Sequence, residues 1–301
     1  MLSFTSARSL FGKLTDNDSS TNLTVGDILI NEGVRDLLGK TNWAFLEAIY
    51  STTTTASTQS YALPGNYRKI DDVTITVGTT RYRPKEVTSR KDWDYINSTT
   101  SITSNIPSFY YIYAGLIYLW PTPSSSSLTL TINYRKIVKD ISVADYTTGS
   151  VTSIANAGTA VVGSGTTWTA KMAGRYIRFT DSDTANTGDG IWYQIASVAS
   201  ATAMTLSRPY SGTSISAGTA AYTIGDCMII PEDYQRAPVY YAASIYWAKE
   251  GDESRSDRFM QMYREMKEQM AVDYGNKTTD PTVDDGENYE QINPNLAIFA
   301  T

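Results

Sequence analysis

Apolar positions in the first fifty residues recur at the three- and four-residue spacing of a helix. Ile30, Val34 and Leu37 share one face of a helix predicted over 25–38, opened by Thr24 with Asp27 three residues on and stopped by Gly39. A shorter helix over 41–50 carries Trp43, Leu46, Ile49 and Tyr50 toward a core, and the two make an N-terminal helix pair. Beyond the polar run 51–60 the period changes to two. Val73, Ile75 and Val77 alternate into a Gly78-Thr79 turn and Tyr82, which predicts a hairpin. Ser89 and Asp92 cap a short helix bearing Trp93 and Ile96. Strands 109–113 and 116–120 flank Ala114-Gly115 as a tight hairpin, and 128–134 adds a strictly alternating strand. The pattern gives a small antiparallel β-meander packed on helices.

Between 144 and 225 charges thin out and Gly, Ser, Thr and Ala dominate. Strands at 159–162, 175–179, 191–198, 203–206 and 220–224, separated by Gly- and Asp-rich turns, predict an inserted all-β sandwich or barrel. Helical spacing returns over 232–249, with Tyr234, Ala237, Tyr241, Ile245 and Ala248 on one stripe and Pro238 near the start. After a turn at 250–253, Ser254 with Asp257 opens a second helix to 272, faced by Phe259, Met262, Tyr263, Met266 and Met270. This pair reads as an αα-hairpin whose Tyr241, Ile245, Phe259, Met262 and Met266 form a core or an inter-subunit face. The expected fold class is therefore α+β. A helical core, made of the N-terminal helix pair and the C-terminal αα-hairpin, carries the small antiparallel meander, and the all-β domain is inserted. The expected parts are 1–143 and 226–272 for the core, 144–225 for the insertion and 273–301 for an extended arm.

Composition narrows the chemistry. The 301 residues carry 25 Lys+Arg against 31 Asp+Glu, net -6 with a pI near 4.8, which disfavours general affinity for DNA phosphates or anionic lipid. With no His at all, imidazole bases, Ser-His-Asp and Cys-His dyads and His-ligated metals are excluded, and an enzyme is not expected. The lone Cys227, followed by Met228, Ile229 and Ile230, reads as a buried thiol. The longest uncharged apolar stretch, 109–120, falls short of the about 20 residues a membrane span needs. The opening MLSFTSARSLFGK has no apolar core of signal-peptide length, so a soluble chain with no membrane partner is expected.

No catalytic, cofactor or metal residue is assigned. The loop Asp181-Ser-Asp183-Thr-Ala185-Asn186-Thr-Gly188-Asp189 clusters oxygen ligands, but Ala185 and the missing closing Glu break the Ca²⁺-loop pattern and leave a turn. Asp71-Asp72 and Glu232-Asp233 are paired carboxylates, yet adjacency along a strand sends the first pair to opposite faces, and a helix N-terminus explains the second. Arg81-Tyr-Arg83-Pro-Lys85, with Arg68, Lys69, Arg90 and Lys91 nearby, reads as a solvated sheet edge or a protein interface. From Lys249 to Thr301 there are 12 acids and 6 bases, so the whole charge excess sits in the C-terminal part. The chain closes on Ile292-Asn-Pro-Asn-Leu-Ala-Ile-Phe299.

Four segments in order carry a resemblance: Tyr61-Ala-Leu-Pro-Gly-Asn-Tyr-Arg-Lys-Ile-Asp-Asp-Val73, Tyr110-Tyr-Ile-Tyr-Ala-Gly-Leu-Ile-Tyr-Leu-Trp-Pro121, Leu128-Thr-Leu-Thr-Ile-Asn-Tyr-Arg135 and Ile230-Pro-Glu-Asp-Tyr-Gln-Arg-Ala-Pro-Val-Tyr-Tyr-Ala-Ala-Ser244. Over 25–143 and 226–272 the chain resembles the head-to-tail adaptor (connector) proteins of tailed bacteriophages. The 144–225 module is similar to small β domains of phage structural proteins. The resemblance implies a homo-oligomeric ring, usually of twelve copies, at the head–tail interface of the virion. Its partners would be the portal protein above and tail nozzle or tube proteins below, with DNA passing through unrecognised. It also implies that the terminal segment, with Tyr289, Ile292, Leu296, Ile298 and Phe299, is an arm clasping the portal or a neighbouring subunit. The 22 Tyr and six Trp suit such interfaces. Two other classes stand beside this one: a tail-associated binding protein whose β module, with Trp168 and Trp192, meets a host glycan or another virion protein, and a carboxylate-based hydrolase.

Overall fold

The computed structural model of the chain describes residues 1–39, 41–98, 103–104, 106–181, 187–216 and 219–275. They fall into two compact units, Met1–Lys40 with Lys139–Asp273, and Thr41–Val138 with the chain from Tyr274.

The first unit opens with α1 (Phe4–Leu14) and α2 (Ser20–Gly39). Ser3 caps α1, its Oγ accepting the Ser6 N–H at 3.3 Å, and Phe4, Ala7 and Phe11 bury one face at helical spacing. Ser19 caps α2 in the same way through the Asn22 N–H, and Asn22 donates to Thr15 Oγ1 at 2.9 Å, tying the two helices at their junction. Gly26 lets them close: a Cβ there would lie 2.3 Å from the Phe11 ring.

The second unit is strand-built. Its elements are β1 (Glu47–Thr53), β2 (Ser60–Ala62), β3 (Tyr67–Val77), β4 (Thr80–Tyr82), β5 (Lys85–Glu86), α3 (Arg90–Ser98), β6 (Thr103–Ser104), β7 (Phe109–Tyr113), β8 (Leu116–Trp120), β9 (Thr122–Pro123) and β10 (Thr129–Lys136). One antiparallel sheet runs β1-β10-β3-β4, a second runs β2-β8-β7-β5 with β5 parallel to β7, and β6 and β9 form a short parallel pair. Gly78, at φ +60 in the first loop position, supplies the left-handed step of the two-residue β3–β4 turn. Val73, Ile75, Leu130 and Ile132 from the first sheet and Ile117 and Leu119 from the second form one buried cluster with Tyr61, Leu63, Tyr110 and Tyr134. Each fully buried aliphatic or aromatic side chain there contributes about 1.5–3 kcal/mol.

The chain then returns to the first unit with β11 (Ser150–Ser153), β12 (Ala160–Ser164), β13 (Tyr176–Phe179), β14 (Trp192–Ser200), β15 (Ala203–Leu206) and β16 (Tyr222–Gly225), in the order β11-β12-β15-β14-β13-β16. This sheet curls as a half-barrel until its ends meet: Val151 of β11 exchanges backbone bonds of 2.9 Å with Ala220, and Tyr146 bridges Ile224. Phe179, Tyr193 and Tyr210 meet edge-on and tilted inside it, and Trp168 Nε1 donates to Tyr222 OH at 2.9 Å. Last come α4 (Ala237–Glu250), with Pro238 in its first turn and Gly251 at φ +83 ending it, and α5 (Glu253–Tyr274).

The α+β expectation of a helical core with a small meander is overturned. The fold is mixed α/β and mostly strands, sixteen against five α-helices among the described residues. The helix expected over 41–50 is a single 3₁₀ turn at Ala44–Leu46 followed by β1, because the β-branched run after Tyr50 favours extended backbone and pairs residue for residue with β10. The partner of α2 is α1. The expected C-terminal αα-hairpin also gives way. The backbone of α4 approaches α2, where a Cβ on Gly33 would lie 2.9 Å from the Pro238 carbonyl oxygen, whereas α5 reaches α4 through large rings.

Candidate functional site

In the first unit, the face expected from Tyr241, Ile245, Phe259, Met262 and Met266 is split. Tyr241 is half-buried and meets Tyr263 edge-on at 5.3 Å, while Phe259 stacks on Tyr240 at 6.2 Å. Met262 and Met266 are half-buried on α5, and Ile245 is exposed. The anchor of α5 is polar and was not singled out from sequence: Tyr263 OH donates to Asp36 Oδ2 at 2.5 Å and Lys267 Nζ donates to the same oxygen at 2.7 Å. Burial, and then the Asp36 carboxylate beside it, pushes the Tyr263 phenol well above the usual tyrosine range. At the other end of α4, Arg255 lies over the Trp247 ring at 4.3 Å and pairs with Asp16 and Asp252.

In the second unit a pocket of about 540 Å³ opens over the outer face of the β1-β10-β3 sheet, lined by Glu47, Ile49, Asp71, Asp72, Asn133 and Arg135 among others. Arg135 is buried although it stands on that outer face. Its Nε meets Asp71 Oδ2 at 3.0 Å, its Nη2 meets Glu47 Oε1 at 3.1 Å, and its Nη1 donates to the Trp43 carbonyl at 3.2 Å. The β3–β10 register slips between Asn133, opposite Asp72, and Tyr134, opposite Ile70, leaving Asp71 as the extra residue of a bulge. That bulge puts Asp71 and Asp72 into one pocket instead of on opposite faces. Both are ion-paired, Asp71 with Arg135 and Asp72 with Arg83 at 3.6 Å, so the carboxylates of the pocket are tied up in salt bridges.

The basic stretch separates into different elements. β4, with Arg81, is an edge strand, as expected, while Arg90 opens α3 and lies 5.2 and 5.9 Å from the Tyr113 and Tyr111 ring centres. Tyr113, Tyr111 and Trp93 stack in near-parallel succession, at 6.4 and 5.5 Å, beneath it. Tyr113, at the end of this ladder, and Tyr95 of α3 are exposed.

The remaining candidates are structural. Cys227 is a free, buried thiol, pushed up to about 12 chiefly by burial. Asp189 accepts hydrogen bonds from the Tyr193 and Ser211 hydroxyls and the Ile191 N–H, and residues 182–186 of its loop lie outside the described residues. Among the described residues there is no group of three acidic, His or Cys side chains placed to hold a metal, and no helix is long and apolar enough to cross a membrane. Trp168 and Trp192 are only 3% and 6% exposed, inside the β module. Tyr289, Ile292, Leu296, Ile298 and Phe299 lie outside the described residues.

No curated protein matches the chain. Residues 5–158, just over half of it, match the model of the SU10 adaptor protein family. The matched span runs from α1 through every strand of the second unit to β11, the first strand of the half-barrel. The chain therefore belongs to the SU10 adaptor protein family, a structural rather than catalytic family of phage adaptor proteins whose place is in the virion.

Proposed function

We propose that the chain is a head-to-tail adaptor: twelve copies close into a ring beneath the portal, join the capsid to tail nozzle or tube proteins, and give DNA a passage. The family membership over 5–158 is the observation that carries this reading. A closed ring needs two different surfaces on each subunit, with on the order of 800 Å² buried per partner in each contact. Exposed Ile28, Ile245 and Val272 in the first unit, and Ile49, Tyr95 and Tyr113 in the second, are apolar groups available for such contacts. The half-barrel, with its own core closed from Tyr146 to Ile224, supports reading 144–225 as a module inserted into a core of 1–143 and 226–272. The net charge of -6 lets DNA slide past without adhering, since each Lys or Arg absent from a wall is one phosphate contact fewer. Residues 273–301 act as an arm that grips the portal or a neighbouring subunit through Tyr289, Ile292, Leu296, Ile298 and Phe299.

Native mass measurement and particle imaging of the protein mixed with portal rings test this. Closed rings seated on the portal are the expected result. Free chains with portal rings left bare, or an enzymatic turnover, overturn it.

A further inference from the structure

Among the described residues β1 is an edge strand, paired with β10 on one side only. The Thr54 N–H donates to the Leu128 carbonyl at 2.8 Å, and the two-residue alternation of an antiparallel ladder carries that pattern back along β1. Thr52, Tyr50 and Ala48 therefore exchange bonds with β10, while Ile49, Ser51 and Thr53 turn their N–H and C=O groups to the open side. Three donors and three acceptors stand there in a row, beside an Ile49 that is 72% exposed.

The other edges are guarded. β2, β4 and β5 are two or three residues long, β4 is followed by Arg83 and Pro84, and the half-barrel closes its ends through Val151 and Ala220. β1 is seven residues long, runs in unbroken register and contains no Lys, Pro or bulge. An unguarded edge of this length is a template for an incoming strand.

We infer that this edge accepts residues 296–301 of a second copy of the chain, an inference that rests on the reading of the C-terminal segment as an interface arm. Gly275 bridges Trp43 in antiparallel sense, so the chain reaches Gly275 within the same unit that carries β1. Residues 276–301 follow, long enough to reach up to about 85 Å at about 3.3 Å per residue. They end in Leu296-Ala-Ile-Phe-Ala-Thr301, which has no charged side chain and no proline and enough N–H and C=O groups to complete the β1 row. Once copies are side by side, the tether raises the donor's effective concentration at its neighbour.

Residue-resolved hydrogen exchange on the full chain, dilute and assembled on portal rings, tests this, with particle imaging reading ring formation separately. Exchange at Ile49, Ser51 and Thr53 is expected to slow at least about tenfold on assembly. The slowing should vanish in Ile298→Pro/Phe299→Pro, in which one of two successive N–H groups that face opposite sides must have faced β1. It should also vanish at Ile49 and Thr53 in Ser51→Pro, which removes an outward donor without touching the β10 ladder. Equal slowing in the double-proline chain means another strand covers the edge, slowing in the dilute monomer means the chain's own segment does, and either overturns the inference. Rings with fast exchange overturn it while leaving the adaptor reading intact; no rings and fast exchange overturn both.

Discussion

Asp71 is the extra residue of a β-bulge, and its carboxylate meets the Arg135 guanidinium at 3.0 Å. One buried cation thus links β1 through Glu47, β3 through Asp71 and the turn before β1 through the Trp43 carbonyl. Removing it leaves two carboxylates and a carbonyl facing each other. Arg135→Met is expected to destabilise the protein by about 2–3 kcal/mol, the low end for a broken buried pair because Asp71 and Glu47 are 30% and 54% exposed and partly hydrated. Chemical denaturation with a probe in the second unit measures it. Glu47→Gln should cost less than about 1 kcal/mol.

The joint also marks how far the sequence was legible. The hairpin over 109–113 and 116–120 and the strand over 203–206 stand where alternation and the Ala114-Gly115 turn put them, because both signals are local. α1 was legible and overlooked: the Ser3 cap and the Phe4, Ala7, Phe11 spacing are an ordinary helix signature. Trp43, Leu46 and Ile49 at three-residue intervals fit a helix as well as a 3₁₀ turn running into a strand, and only pairing with β10, more than eighty residues away, decides between them. No spacing rule could bring Asp71, Glu47 and Arg135 together, since the bulge that aims Asp71 exists only in the paired sheet.

Close approach of α2 to α4 depends on Gly33, where a Cβ would meet the Pro238 carbonyl oxygen at 2.9 Å and the Pro238 Cα at 3.0 Å. Both obstacles are backbone and cannot swing aside. Gly33→Ala should destabilise by about 1–3 kcal/mol from overpacking, outweighing the up to about 1 kcal/mol gained in helix propensity. At Gly26 the obstacle is the Phe11 ring, a side chain, so Phe11→Leu should recover part of the loss in Gly26→Ala. Thermal unfolding of the single and double variants decides between these cases.

Alkaline pH should unfold the first unit through its buried phenols. Burial raises the pKa of Tyr263, Tyr222 and Tyr210, the last to about 12, so each is neutral in the fold over a range in which the unfolded chain already ionises. Their contribution is complete below about pH 10 and falls as pH climbs toward the raised values. The denaturation midpoint should hold through neutral pH and drop above about pH 10, with a shallower fall in Tyr263→Phe. A midpoint flat to higher pH would show that the phenols ionise without cost.

Deletion of residues 276–301 separates the arm from the scaffold. The Phe45–Tyr274 ring contact and the Trp43–Gly275 bridge are the last described contacts of the chain, and both survive the cut. The melting temperature is expected to stay within about 2 °C of the full chain, since no described core side chain is removed. Docking on portal rings should weaken at least about tenfold, equivalent to about 1.4 kcal/mol. Sedimentation of the truncated chain with portal rings measures the second effect and calorimetry the first. A large fall in melting temperature would make the segment part of the fold, and unchanged docking would remove it from the interface.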